Sequence, residues 1–209
     1  MTTIYLIRHA QAEGNRDRRF QGDIDSEVSP LGWQQLDYLA ERCRTLPVTR
    51  IYTSPLKRAR ETAKAVNRYL GVPITVEPRI SEINTGEWEG RLYDELEILW
   101  PEERRIWREE PWRFQSPGGE SMQQVYDRAS AALRDIAAQN PGGSVAVVCH
   151  GCVLRNLYAF VKGGLREHYG EPGDWMNNTG IGCVTEENGV FTLQWKNQID
   201  WLPEELRTI

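Results

Sequence analysis

The sequence predicts an α/β protein, a three-layer αβα sandwich built around a mostly parallel central sheet. Three observations carry that expectation. Short apolar runs rich in β-branched residues, at 4–7, 50–53, 72–76 and 144–149, alternate with longer stretches whose apolar residues fall at helical spacing. The run at 144–149 is almost wholly apolar, as in a strand covered on both faces. Three of the runs stop at a polar, reactive group: Arg8-His9, Ser54 leading to Arg58, and His150. Parallel strands would bring those groups to one edge of the sheet, beyond the strands' carboxyl ends.

Each element has its own local reason. Ile4-Tyr5-Leu6-Ile7 reads as a buried strand, and the small and polar residues after His9 suit a loop. Segment 14–29 is polar and without period, so a loop is expected, with Phe20-Gln21-Gly22 its only compact feature. Ser29-Pro30 opens a helix striped by Leu31, Leu36, Leu39, Ala40 and Cys43, and Pro47 ends it. After the strand at 50–53, Ser54-Pro55 predicts a second helix start, because a serine hydroxyl caps and proline suits the first turn. Leu56, Ala59, Ala63, Val66 and Leu70 mark its buried face.

Residues 72–76 are expected to form a third strand, and 79–90, rich in Asn and Gly, a loop. From 91 to 114 the spacing predicts short helices with many tryptophans and both charge signs, a lid extending to about residue 120. Ser121 with Gln124 matches a capping box, and Met122, Val125, Ala129, Ala132, Leu133 and Ile136 give the next stripe. Beyond the strand at 144–149, Val153, Leu154, Leu157, Phe160 and Val161 follow at helical spacing. Residues 179–186 and 190–195, around Asn188-Gly189, read as an edge hairpin. No linker divides the chain, so one domain over 1–209 is expected.

Composition narrows the partners. A net charge of −5 on 209 residues gives no basic field for a nucleic-acid backbone. The first apolar run is too short for a signal peptide or a membrane span, so a cytoplasmic location with no membrane partner is expected. Four cysteines do not make a disulfide scaffold in a chain of this size. The sequence leaves oligomeric state open.

The chemistry follows from the strand ends. Two imidazoles and two guanidiniums, His9, His150, Arg8 and Arg58, would make a basic pocket inside an acidic protein. Guanidinium forks bind phosphate oxygens in pairs, and helix starts add backbone donors. Such a pocket suits a phosphoryl group.

The motifs that converge there resemble those of the histidine phosphatase superfamily, the phosphoglycerate-mutase-like proteins. They are Leu6-Ile7-Arg8-His9-Ala10 through Asn15, then Ser54-Pro55-Leu56-Lys57-Arg58-Ala59 with Thr62-Ala63. Glu82 followed by Gly86 and Glu89-Gly90 comes next, then Gly118-Gly119-Glu120-Ser121, and finally His150-Gly151. All stand in the family's order across nearly the whole chain; Ala10 stands where the family most often has glycine. The resemblance implies that His9 is a nucleophile forming a phosphohistidine, which water then hydrolyses. It implies that Arg8, Arg58 and His150 hold the phosphate, and that Asn15 and Gln21, with Gly22 and Gly151 beside these motifs, border it. Glu82 matches the family's acid. A carboxyl that donates a proton near neutral pH needs burial or a nearby anion, and a bound phosphate is such an anion. Glu87 and Glu89, in the same loop, are the local competitors.

The expected activity is therefore metal-independent hydrolysis of a small phosphomonoester, needing no cofactor. Phosphoglycerate mutase chemistry through the same phosphohistidine is the alternative. Trp100, Trp107, Trp112 and Phe114 of the lid are candidates either to face an organic substrate or simply to pack. A reading from another class takes Cys149-His150-Gly151-Cys152 as a C-x-x-C redox pair. It leaves His9, Arg58 and Glu82 idle. A zinc site lacks a second pair, since Cys43 and Cys183 are isolated. A silent phosphate-binding module would not need every catalytic position filled.

Overall fold

Residues 1–171 and 173–209 are described by the computed structural model of the chain. In chain order the elements are β1 (Thr2–Arg8), α1 (Glu13–Arg16), α2 (Pro30–Cys43), β2 (Arg50–Thr53), α3 (Lys57–Asn67) and β3 (Ile74–Val76). There follow α4 (Tyr93–Leu99), α5 (Pro101–Glu109), α6 (Met122–Gln139), β4 (Ser144–Cys149), α7 (Gly151–Lys162), α8 (Leu165–His168), β5 (Ile181–Glu187) and β6 (Val190–Gln198). The six strands form one sheet in the order β3-β2-β4-β1-β5-β6. The pairs β1–β4, β2–β4 and β2–β3 are parallel, while β5 and β6 add an antiparallel edge. The expected α/β sandwich with a mostly parallel sheet is what forms.

Strand periodicity explains the two layers of core. Ile4, Leu6, Tyr52, Val145, Val147 and Cys149 pack on one face, with apolar residues of α6 and α7. Ile7, Ile51, Ala146 and Val148, the alternate positions, pack on the other with α2 and α3. Val145 through Cys149 are all fully buried, as a central strand covered on both sides requires.

The caps explain where helices start. Ser29 accepts the N–H of Gly32 at the head of α2, and Ser121 and Gln124 form the reciprocal box at α6. Ser54-Pro55 behaves differently from expectation. Helix α3 begins only at Lys57, because the Ser54 hydroxyl, although it accepts the Leu56 N–H, is turned toward His150. The third strand is shorter than expected: the Asn67 side-chain amide bonds both the N–H and the carbonyl of Val72, which keeps Val72 out of the ladder. The segment 79–90 is no surface loop throughout, since it holds a 3₁₀ turn at Gly86–Trp88 with Trp88 fully buried.

The lid helices α4 and α5 sit on an aromatic cluster. Phe20, Trp88, Trp107 and Phe114 meet at centroid separations of 4.7–6.2 Å, mostly edge to face. Of the four lid aromatics that the sequence offered to a substrate, Phe114 is buried and Trp100 and Trp112 pack on the core, leaving Trp107 facing the cavity. No helix among the described residues is long and apolar enough to cross a membrane.

Candidate active site

The carboxyl ends of β1, β2 and β4 lie side by side because all three strands run parallel. The His9 N–H donates to Cys149 O (3.0 Å) and the Ser54 N–H to Val148 O (3.0 Å), so the ladder extends to the first residue past each strand. A cavity of about 440 Å³ opens there. Its buried lining includes Arg8, His9, Arg58, Gly22, Gly151 and Cys152; Glu82, Asn15 and Gln21 are half-buried members. Toward solvent the walls are Arg18, Tyr93, Asp94, Glu97, Arg104, Trp107, Trp175 and Ile209. His150 is not part of the lining. It is fully buried behind the wall, its ring centroid 5.1 Å from that of His9.

His9 has one usable tautomer. Its Nδ1 lies 2.6 Å from the Ala10 carbonyl, which can only accept, so Nδ1 carries the proton and Nε2 keeps its lone pair. Burial first, then the neighbouring Arg58 and Arg8 charges, hold the His9 imidazole well below its ordinary value of 6.5. The ring is neutral at physiological pH. His150 is also held well below 6.5, by burial and then by Arg58, His9, Arg128 and Arg8.

Three buried side-chain nitrogens around these rings have no partner in the protein: Arg8 Nε, Arg58 Nε and His150 Nδ1. The other ends of these groups are fixed. Arg58 donates through Nη1 to Ile24 O (2.6 Å) and through Nη2 to Gly22 O (2.9 Å). Arg8 Nη1 donates to Met176 O. His150 Nε2 pairs with Ser54 Oγ at 2.7 Å. Buried polar groups are normally satisfied, and these three unpartnered atoms belong to side chains at the strand ends around His9, an arrangement that suits an anion. Burial lowers both guanidiniums, Arg58 to about 10, which leaves Arg58 protonated at neutral pH.

Gly22 has a steric reason. It sits at φ 50°, and a Cβ there would lie 2.5 Å from both Glu89 Oε1 and Thr85 Oγ1. Glu89 is tied to the backbone N–H groups of Asp23 and Thr85, so it shapes the loop and does not line the cavity. Glu82 does line it, with its oxygens accepting from the N–H groups of Ile83 (3.0 Å) and Cys152 (3.2 Å). Asn15 Oδ1 accepts the Ala12 N–H, which shapes the turn of α1. The structure therefore gathers every residue that the sequence nominated, with His150 reaching in from behind.

The redox reading of Cys149 and Cys152 fails on burial. Both thiols are buried and both are pushed up, desolvation leading, the opposite of a reactive thiolate. Among the described residues no group of three or more His, Cys, Asp or Glu could hold a metal ion. Trp175, Tyr93 and Arg104 are pocket walls that no motif in the sequence marks. Trp175 is set by Arg155, whose guanidinium carbon lies 4.5 Å from the ring centroid, a contact with no sequence signal.

A parallel αβα sheet whose strand ends surround a neutral histidine with unpartnered cationic donors defines a class of phosphoryl-transfer protein. The chain belongs to the histidine phosphatase superfamily (branch 1), whose family model matches residues 4–199. It is 35% identical over 163 residues to Phosphoserine phosphatase 1 of Hydrogenobacter thermophilus, a match covering 78% of this chain and 77% of that one. It is also 35% identical over 167 residues to the protein named "Probable phosphoglycerate mutase GpmB" in Salmonella choleraesuis, covering 78% and 76% respectively. Among solved structures, Bacillus stearothermophilus YhfR superposes with a TM-score of 0.92 at 31% identity, over 97% of this chain and 100% of that one.

Proposed function

We propose that this protein is a phosphomonoesterase that hydrolyses small organic phosphates through a phosphohistidine on His9, without a metal ion. The observation that carries the reading is the set of three orphan donors, Arg8 Nε, Arg58 Nε and His150 Nδ1, beside a neutral imidazole whose Nε2 is free.

The phosphoryl oxygens take those donors. His9 Nε2 attacks phosphorus in line as the bond to the ester oxygen breaks. Ser54 donates its hydroxyl hydrogen to His150 Nε2, which leaves Nδ1–H to face the phosphate. Glu82 gives a proton to the departing alkoxide, then takes one from the water that cleaves the phosphohistidine. Orthophosphate leaves and His9 is regenerated. Each aligned donor to a charge that grows in the transition state is worth about 10²- to 10³-fold in rate.

Hydrolysis is favoured over mutase transfer by the charge of the walls. The lid guanidiniums Arg104, Arg105, Arg108 and Arg113 are all engaged by lid carboxylates, and Asp94 and Glu97 also face the cavity. Apart from Arg8 and Arg58, Arg18 is the cavity-wall guanidinium among the described residues without a carboxylate partner, a single cation for the second phosphate of a bisphosphate primer. A small zwitterionic or uncharged organic group suits walls of both signs, and phosphoserine, the substrate named for the thermophilic relative, is the first compound to assay.

The test is His9→Ala with p-nitrophenyl phosphate, phosphoserine and 3-phosphoglycerate, the last with and without a bisphosphoglycerate primer. Turnover should vanish in the variant with the fold intact, and wild-type activity should survive excess chelator. Near-normal turnover by the variant would refute the nucleophile. Primer-dependent isomerisation faster than hydrolysis would make the protein a mutase.

A further inference from the structure

We infer that Asn178 is a positioning residue for His9, and that Thr208 and Gln35 hold it in register. The inference rests on the reading of His9 as nucleophile. It begins with how firmly the end of β1 is held by the segment 176–180. Gly180 O accepts the Arg8 N–H (3.1 Å), Arg8 O accepts the Thr179 N–H (3.2 Å), and Met176 O accepts from Arg8 Nη1. Asn178 Nδ2 donates to His9 O at 3.0 Å. Asn178 and Thr179 are fully buried, and Thr179 sits at φ 61°, a conformation a β-branched residue adopts only when its surroundings impose it.

Asn178 is itself held. Its N–H donates to Thr208 O (2.8 Å), and Thr208 Oγ1 donates to Asn178 Oδ1 (3.0 Å). The same Thr208 hydroxyl accepts from Gln35 Nε2 (2.9 Å), which also donates to Leu206 O (2.8 Å). Gln35 Oε1 accepts the Gln11 N–H at 2.8 Å. One polar chain, Asn178–Thr208–Gln35, fully buried at its two ends and half-buried at Thr208, thus grips His9 O on one side of Ala10 and the Gln11 N–H on the other. Between those two anchors lies the Ala10 carbonyl, the acceptor that sets the His9 tautomer and aims Nε2 into the cavity. A small rotation of either peptide would swing the ring, and misplacement of a reacting group by about 1 Å can cost about 10²-fold. None of the three side chains lines the cavity.

The experiment uses the full chain with p-nitrophenyl phosphate. Thr208→Val removes the hydroxyl while keeping shape, Thr208→Ser restores it, and Asn178→Leu removes the donor to His9. Rapid quench measures phosphohistidine formation; steady-state KM, inhibition by orthophosphate and melting temperature are read in parallel. Thr208→Val and Asn178→Leu should slow phosphoryl transfer to His9 by about 10- to 100-fold, leaving KM and phosphate inhibition within about twofold. Thr208→Ser should recover the wild-type rate. Lower melting temperatures at unchanged transfer rate would overturn the inference, as would a loss shared equally between rate and phosphate binding. If Asn178→Leu does not fold, Thr208→Val and Thr208→Ser decide the outcome alone. Failure of wild type to form phosphohistidine would overturn the His9 reading itself, whereas labelling at equal rates in wild type and Thr208→Val would overturn only the positioning role.

Discussion

Ser54→Ala tests the tautomer logic of the site, because Ser54 reaches the phosphate only through His150. The substitution removes the 2.7 Å partner of His150 Nε2 in a place where neither residue has any solvent exposure. Two costs follow. Leaving a buried imidazole nitrogen unpaired costs about 1–3 kcal/mol of stability. For a chain of this length that is a fall of roughly 2–12 °C in melting temperature, so the variant stays folded at 25 °C. The second cost is catalytic. Without the serine proton on Nε2, the ring no longer prefers Nδ1–H, and the phosphate loses one aligned donor. The expected fall in kcat/KM is about 10²-fold, or about 2.7 kcal/mol of transition-state stabilisation. The assay is steady-state hydrolysis of p-nitrophenyl phosphate, with circular dichroism to verify the fold and ¹⁵N imidazole spectra to read the tautomer. A kcat/KM within about twofold of wild type, or a His150 tautomer unchanged by the substitution, would refute the reasoning.

Other perturbations give equally definite expectations. Glu82→Gln should barely affect the rate of phosphohistidine formation from p-nitrophenyl phosphate, whose leaving group needs no proton, but slow its formation from an alkyl phosphate by about 10²- to 10⁴-fold, while hydrolysis of the phosphohistidine slows for both; equal losses in the formation step would remove Glu82 as the acid. His9 and His150 are depressed below 6.5 in the folded state, so the unfolded chain gains protons first as pH falls. Their stability contribution is complete above about pH 6.5 and declines below it, toward the depressed folded values, by up to about 1.4 kcal/mol per pH unit for each ring. Urea titrations at pH 7, 6 and 5 should show a shallower decline in His9→Asn than in wild type; identical slopes would contradict the burial argument. For the same reason the acidic limb of kcat/KM due to His9 should lie below pH 6.5. All four cysteines are buried, and Cys43 is pushed up to about 12, so Ellman's reagent should find no reactive thiol in the native protein and four after unfolding. Rapid labelling of Cys152 in the folded state would reopen the redox reading.

What the sequence determined by itself was whatever depends on neighbours along the chain. Periodicity at 144–149 and in the stripe from Met122 to Ile136 marked strand and helix correctly, because alternation and helical spacing are local properties. The strand-end groups Arg8-His9, Ser54 and His150 were legible because parallel strands of similar length deliver their last residues to one edge. The motif order singled out Glu82, and its place in the cavity lining distinguishes it from Glu87 and Glu89.

Only the tertiary structure decided which donors are left for an anion, because that depends on what each polar atom meets far along the chain. Arg58 spends its two Nη groups on Gly22 and Ile24, and Ser54 meets His150 across 96 residues. Asn178 reaches His9 across 169 residues, with nothing in its own neighbourhood to announce it. The lid tryptophans could not be sorted by spacing, since half-buried amphipathic helices offer several apolar faces and only packing chooses among them. Backbone periodicity is a local steric property, whereas hydrogen-bond satisfaction and side-chain burial are settled by long-range contacts, and the chemistry of this site resides in the latter.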